Sequence, residues 1–151
     1  MQIHAMPGHL IRRLNQISVG IFADKMADAG LTLTPVQFAA LSAVAEHPGI
    51  DQATVAGLIA YDRATLGKVI DKLESRGHIL RETSSRDRRA KVLKVSEAGQ
   101  ALLTQARPIV AALQSEIIGG LTSDEQQVFL RLLDKATMAG NEHSRAPLKP
   151  I

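Results

Sequence analysis

Between Asp62 and Lys94 the chain carries Arg63, Lys68, Lys72, Arg76, Arg81, Arg86, Arg88, Arg89, Lys91 and Lys94, ten bases against the five acids Asp62, Asp71, Glu74, Glu82 and Asp87. Eight bases and ten acids are left for the rest, so a net charge of +3 conceals one basic region in an otherwise slightly acidic chain. Such an asymmetry suits a polyanionic partner, because cations that neutralise phosphates release condensed counterions. Charge alone is equally compatible with a solvated face. Spacing narrows the choice. Leu66, Val69, Ile70 and Leu73 recur at helical intervals and are assigned to a core. Arg63, Ala64, Thr65, Gly67 and Lys68 are thereby left at the open start of that helix, with Lys72 one turn further on.

A helix of this kind fits the major groove. There an arginine at position 63 can grip a guanine edge, and a threonine at 65 can meet a thymine methyl or a phosphate. Lys68, Lys72, Arg81, Lys91 and Lys94 are the candidates for neutralising phosphates. Gly67 reads two ways, as a site of close DNA approach or of close helix packing. Asp71 and Glu74 would repel phosphates and are expected to pair with Lys68 or Lys72 at helical spacing. Beyond Gly77, the segments 79–83 and 91–96 have strand character, and the turn between them holds Arg86, Asp87, Arg88, Arg89 and Ala90. A narrow A·T-rich minor groove concentrates negative potential and attracts arginine. The alternative for this turn is a solvated basic loop. Asp87 is expected to pair with a neighbouring arginine and shape the turn.

Six helices must position these groups. One runs from Gly8 to Ala29 with Leu10, Leu14, Ile17 and Ile21 on one face. Thr34-Pro35 opens the next, Asp51 a short third and Asp62 the fourth. After the hairpin, Ser96 opens a long helix in which Pro108 should produce a kink, and Thr122 with Glu125 forms a capping box for the last. The expected fold is mostly α with a small β-hairpin wing, in one domain spanning 1–151. Residues 31–96 form a winged helix-turn-helix lobe, and 8–30 and 97–140 are long helices too apolar for a small monomer to bury. They suit a homodimer interface. The segment 141–151 reads as a flexible tail.

Several function classes are set aside. The absence of cysteine excludes disulfides, thiolate metal sites and thiol redox sensing. No glycine-rich phosphate loop, nucleophile elbow or metal-spaced histidine pair occurs, so neither an enzyme nor a cofactor is expected. His4 and His9 beside acidic residues leave a metal-sensing regulator as an alternative, though no metal site is assigned. An architectural DNA binder that discriminates little between sequences is another. No apolar run is long enough for a membrane span, and a cytoplasmic protein is expected.

Leu73-Glu74-Ser75-Arg76-Gly77-His78-Ile79-Leu80-Arg81, then Asp87-Arg88-Arg89, then Val95-Ser96-Glu97-Ala98-Gly99 resembles the MarR family of bacterial transcription regulators over roughly 8–140. The resemblance implies a triangular homodimer on a pseudo-palindromic double-stranded operator, with small ligands releasing it and repression the usual outcome. It also makes Arg89 the residue expected to insert into the minor groove. More narrowly, Pro7 to Ile17 with Thr34-Pro35-Val36-Gln37-Phe38 is similar to the branch controlling aromatic-acid breakdown, the nicotinate-degradation repressors in particular. That branch implies an aromatic acid effector. His9, Arg12 or Arg13, and Gln16 share part of one helical face and could hold its carboxylate, an arginine doing so bidentately. Ser18, Phe22 and Phe38 would line the remainder. Read without the resemblance, Arg12 and Arg13 suit surface or dimer ion pairs better than a ligand.

Overall fold

The structure, a computed structural model, describes residues 2–151. After a 3-10 turn at Ile3–Ala5, the helices are α1 (Pro7–Asp28), α2 (Pro35–Glu46), α3 (Gln52–Leu58), α4 (Arg63–Ser75), α5 (Glu97–Ile117) and α6 (Ser123–Ala139). Side chains start five of them. The Thr34 and Thr122 hydroxyls accept from Gln37 N and Glu125 N in reciprocal capping boxes. Asp51, Asp62 and Ser96 accept from Thr54 N, Thr65 N and Gly99 N. Each such cap typically contributes about 1 kcal/mol, and each was legible from residue type. At the far end of α4, Gly77 takes φ +78, while the His78 N–H returns to Leu73 O, a left-handed turn that glycine adopts without strain. α5 stays helical through Pro108, so the proline does not end it.

The strands are β1 (Ile50–Asp51), β2 (Ile79–Thr83) and β3 (Lys91–Val95), an antiparallel sheet in the order β1-β3-β2. The hairpin was expected. β1 was not, since two residues are too few to show a period. It pairs Ile50 with Leu93 and Asp51 with Val92, pinning the wing's inner strand to the entrance of α3.

Two apolar clusters organise the chain. One lies in the lobe around Leu41, Val44, Val55, Leu66, Ile70, Leu73, Ile79, Leu93 and Leu103. The other joins Phe22 and Met26 of α1 to Leu33 and to Ala106 and Leu113 of α5. Phe38 and Leu102 pack against both, so α5 connects the lobe to α1. By contrast, α6 buries none of its residues.

The segment 141–151, expected to be loose, is instead seated on the lobe. Asn141–His143 form a 3-10 turn, and the Asn141 side chain donates to Leu148 O and accepts from Leu148 N. Lys149 N then donates to Gly57 O of α3 at 2.8 Å. One amide side chain that satisfies both backbone groups of a residue seven positions away closes this loop, which hydrophobic periodicity does not reveal.

Gly99 explains the glycine of the Ser96-Glu97-Ala98-Gly99 stretch. A Cβ there would overlap the His78 carbonyl oxygen and sit 2.8 Å from Val95 Cγ1. Ser96 N already donates to that same carbonyl, and Ser96 Oγ donates to Gly77 O, so the neighbours are held in place. Gly99→Ala, which helix propensity alone would favour, is expected to destabilise by about 1–3 kcal/mol through overpacking. The thermal midpoint should fall by roughly 2–10 °C. A midpoint that stays constant or rises would show that α5 can move off the wing base.

Candidate nucleic-acid interface

α4 divides its residues as the lobe requires. Leu66, Ile70 and Leu73 are fully buried, while Arg63, Ala64, Thr65, Lys68 and Lys72 are exposed. Asp62 fixes the first turn. Its Oδ2 accepts from Thr65 N at 3.1 Å and from Thr65 Oγ1 at 2.9 Å. The Thr65 hydroxyl bond, then the backbone bond, hold the Asp62 carboxyl below the usual range, so it stays ionised. The Thr65 hydroxyl proton is therefore already committed. Its methyl group and an oxygen lone pair are what remain for DNA, which favours the thymine-methyl reading over a donated bond to phosphate.

The acids of α4 behave differently from expectation. Asp71 and Glu74 do not pair with Lys68 or Lys72. Both meet Arg81 of β2, at 2.6 and 3.5 Å, and Arg81 also donates to Gln52 Oε1 of α3 at 3.2 Å. The strand register brings Arg81 over the back of α4, where its planar fork reaches three partners at once, which an ammonium at position 68 or 72 cannot match. Arg81, read as a phosphate contact, is thus a tie between wing, α4 and α3. Lys94 is likewise paired, with Glu82 at 3.0 Å, and the Lys91 ammonium donates to Thr83 Oγ1 at 3.1 Å. Lys68 and Lys72 have no ion-pair partner among the described residues and stay available for phosphates. Gln52 was not singled out from sequence. It also resolves much of the Gly67 question, since a Cβ on Gly67 would make only ordinary contact with Gln52 Nε2 at 3.4 Å. Tight helix packing does not require this glycine.

The wing tip is shaped by the short side chains of Ser84 and Asp87, which accept from its own backbone N–H groups. Ser84 Oγ accepts from Arg86 N and Asp87 N, Ser84 N donates to Ala90 O, and Asp87 Oδ1 accepts from Arg89 N at 2.9 Å. Asp87 shapes the turn through that N–H and not through an arginine side chain, as an aspartate two residues before an N–H readily does. The side chains of Arg86, Arg88 and Arg89 are exposed and have no hydrogen-bond or ion-pair partner among the described residues. The tip therefore presents three unneutralised guanidinium groups on a defined turn, beside a helix whose first turn is open. That arrangement can cover a major groove and an adjacent minor groove together.

The sequence profile of the MarR family matches residues 33–91, from just before α2 to the first residue of β3. The transcriptional regulator HosA of Escherichia coli is 30% identical over 127 residues, 84% of this chain and 91% of its own. The chain belongs to the MarR family. The HTH-type transcriptional repressor NicR of Pseudomonas putida is 30% identical over 128 residues, 85% of this chain and 80% of its own. Among solved structures, that of Bordetella bronchiseptica BpsR, described as a mechanism for regulation of its DNA binding by 6-hydroxynicotinic acid, matches with TM-score 0.81 at 29% identity, covering 88% of this chain and 94% of that one. MarR membership makes this chain a DNA-binding transcription regulator and not an enzyme.

The residues assigned to a ligand fall into three places in this MarR fold. His9, Arg12 and Gln16 do form one row on α1: Arg12 donates to Gln16 Oε1 at 3.3 Å, and its other terminal nitrogen lies 3.4 Å from His9 Nδ1. Arg13 is exposed beside them. Ser18 lines an apolar groove between α1, α5 and α6. Phe22 is buried and meets Phe38 edge-on, ring centres 6.3 Å apart. Ten residues of helix separate Arg12 from Phe22, roughly 15 Å, more than a one-ring acid spans. A single protomer does not gather these seven residues around one small molecule.

Proposed function

We propose that this MarR-family chain is a dimeric repressor of a pseudo-palindromic operator in the cytoplasm, released by a small aromatic carboxylate of the nicotinate type. The observation that carries the DNA part is the pairing of the open α4 first turn with the three free wing arginines. The dimer rests on the face formed by α1, α5 and α6, where Leu10, Ile11, Leu130, Leu132 and Leu133 are exposed and the groove between the helices is lined by Leu14, Phe129 and Ile118. Apolar surface of that extent on helices at both chain ends is the half of a symmetric interface. Two α4 helices held about one helical turn apart, roughly 34 Å, would enter successive major grooves.

The effector part is supported by the His9–Arg12–Gln16 row and by the likeness to NicR and BpsR. Arg12 is the anchor in preference to Arg13, because its neighbours already aim its guanidinium. A ligand there releases DNA only if it favours the dimer geometry that DNA does not. A thermal-shift series with nicotinate, 6-hydroxynicotinate and benzoate tests this, since a ligand that binds the folded state raises its apparent stability. At least one acid should raise the midpoint and release a bound duplex, and Arg12→Ala should abolish both effects. Full sensitivity in Arg12→Ala would remove Arg12 from the site, and silence of all aromatic acids would remove the effector class.

A further inference from the structure

The segment 144–151 reads Ser-Arg-Ala-Pro-Leu-Lys-Pro-Ile, two cations and no acid. It lies against the start of the recognition helix. Arg145 and Lys149 share the lining of one cavity of about 510 Å³ with Tyr61, Asp62 and Arg63, the residues that lead into α4. Three contacts hold the segment there. The Asn141 side chain brackets Leu148, Lys149 N donates to Gly57 O, and the Cβ of Lys149 packs so closely over Gly57 that a Cβ on that residue would sit 3.1 Å away. With the segment seated, Arg63, Ala64 and Thr65 remain exposed, and so do Arg145 and Lys149. The reading surface is flanked and not covered.

The net effect is electrostatic. The Asp62 carboxylate that caps α4 sets a negative charge at the start of the helix, where a duplex read by α4 would pass. Arg145 and Lys149 line the same cavity as Asp62, and the Arg145 guanidinium is close enough to help hold the Asp62 carboxyl down. We propose that residues 144–151 are a further part of the DNA-binding surface, with Arg145 and Lys149 contacting the phosphate backbone beside the groove that α4 enters. A strap that blocks DNA would have to hide Arg63, and this one does not. The proposal rests on the DNA-binding reading of α4 and the wing.

The test is the salt dependence of duplex binding by the full chain, on a duplex selected by the wild-type protein and on an unrelated duplex of equal length. Each phosphate contact contributes about 0.9 to the slope of log K against log salt. Arg145→Gln, lost once per protomer, should lower the slope of a dimer by roughly 1.8 and weaken both duplexes by a similar factor, because a phosphate contact carries no sequence information. Arg145→Lys should restore the slope, and Arg145→Gln with Lys149→Gln should lower it further. An unchanged slope overturns the proposal, as does tighter binding by Arg145→Gln, the behaviour of a blocking strap. Failure of the wild-type protein to select any duplex from a random pool would instead overturn the α4 and wing reading, and this proposal with it.

Discussion

Leu130→Asp is expected to split the proposed dimer and bring operator binding down toward its sequence-independent level. Leu130 is 56% exposed in the single chain, on a helix that buries nothing against its own lobe. The substitution therefore leaves both core clusters untouched and should preserve helix content. In a two-fold interface it acts twice. Burying one leucine side chain is worth about 1.5–3 kcal/mol, so two losses amount to roughly 3–6 kcal/mol, before the penalty of bringing two carboxylates into an apolar contact. At about 1.4 kcal/mol per tenfold, the dimer dissociation constant should rise by more than about a hundredfold. A monomer offers one α4 and one wing, and the second half-site is then unread. Sedimentation of the variant and a fluorescence titration with a selected duplex measure the two effects. A dimer of undiminished stability would mean that α6 faces solvent and that the interface lies elsewhere.

The sequence made the helices legible because their starts are local events. Thr34, Asp51, Asp62, Ser96 and Thr122 each cap through a residue three positions on, and such signals need no tertiary context. The candidate DNA residues were legible for a related reason, since apolar spacing in α4 fixes which side chains are left outside. What escaped was pairing between distant segments. Arg81 looked like any other base until the register of β2 set it over Asp71, Glu74 and Gln52. Two-residue β1 and the seat of 144–151 on Gly57 are likewise long-range choices without a local period. The ligand residues rest on two criteria, a shared helical face for His9, Arg12, Arg13 and Gln16, and polar or aromatic character for Ser18, Phe22 and Phe38. The first finds the His9–Arg12–Gln16 row, whereas the second collects Phe22, a core residue farther along the same helix.

This sorting of the bases changes the electrostatic picture of the lobe. Arg81 and Lys94 face acids and stabilise the wing on α4, so they should govern where the wing points more than how strongly it attracts phosphate. Among the bases between Asp62 and Lys94, Arg63, Lys68, Lys72, Arg86, Arg88 and Arg89 have neither an acid nor a hydrogen-bond partner for their side chains among the described residues, and are free for a polyanion. Position and attraction are thus assigned to different residues, and substitutions of the two sets should differ in kind. Loss of Arg81 frees Asp71 and Glu74 to repel DNA while loosening the wing, whereas loss of a free cation leaves the geometry intact.

Arg89→Ala is expected to weaken operator binding strongly while leaving fold and dimer unchanged. The bond that shapes the turn runs from the Arg89 backbone N–H to Asp87 Oδ1, and alanine keeps that N–H. The guanidinium has no partner within the protomer to lose. Its removal should therefore act on DNA alone. A well-placed arginine at a base edge is worth about 1–3 kcal/mol, and a dimer loses two, which corresponds to roughly 30-fold to 10⁴-fold in affinity. If Arg89 enters a narrow minor groove, the loss should be greatest on duplexes with A·T pairs at the wing positions, and Arg89→Lys should recover little, because lysine lacks the planar, weakly hydrated fork. A contact to phosphate would instead show a uniform loss across sequences, a shallower salt slope and good recovery by lysine. Titrations at fixed salt separate the two patterns. Undiminished affinity in Arg89→Ala would exclude the residue from recognition and transfer the role of the wing to Arg86 and Arg88.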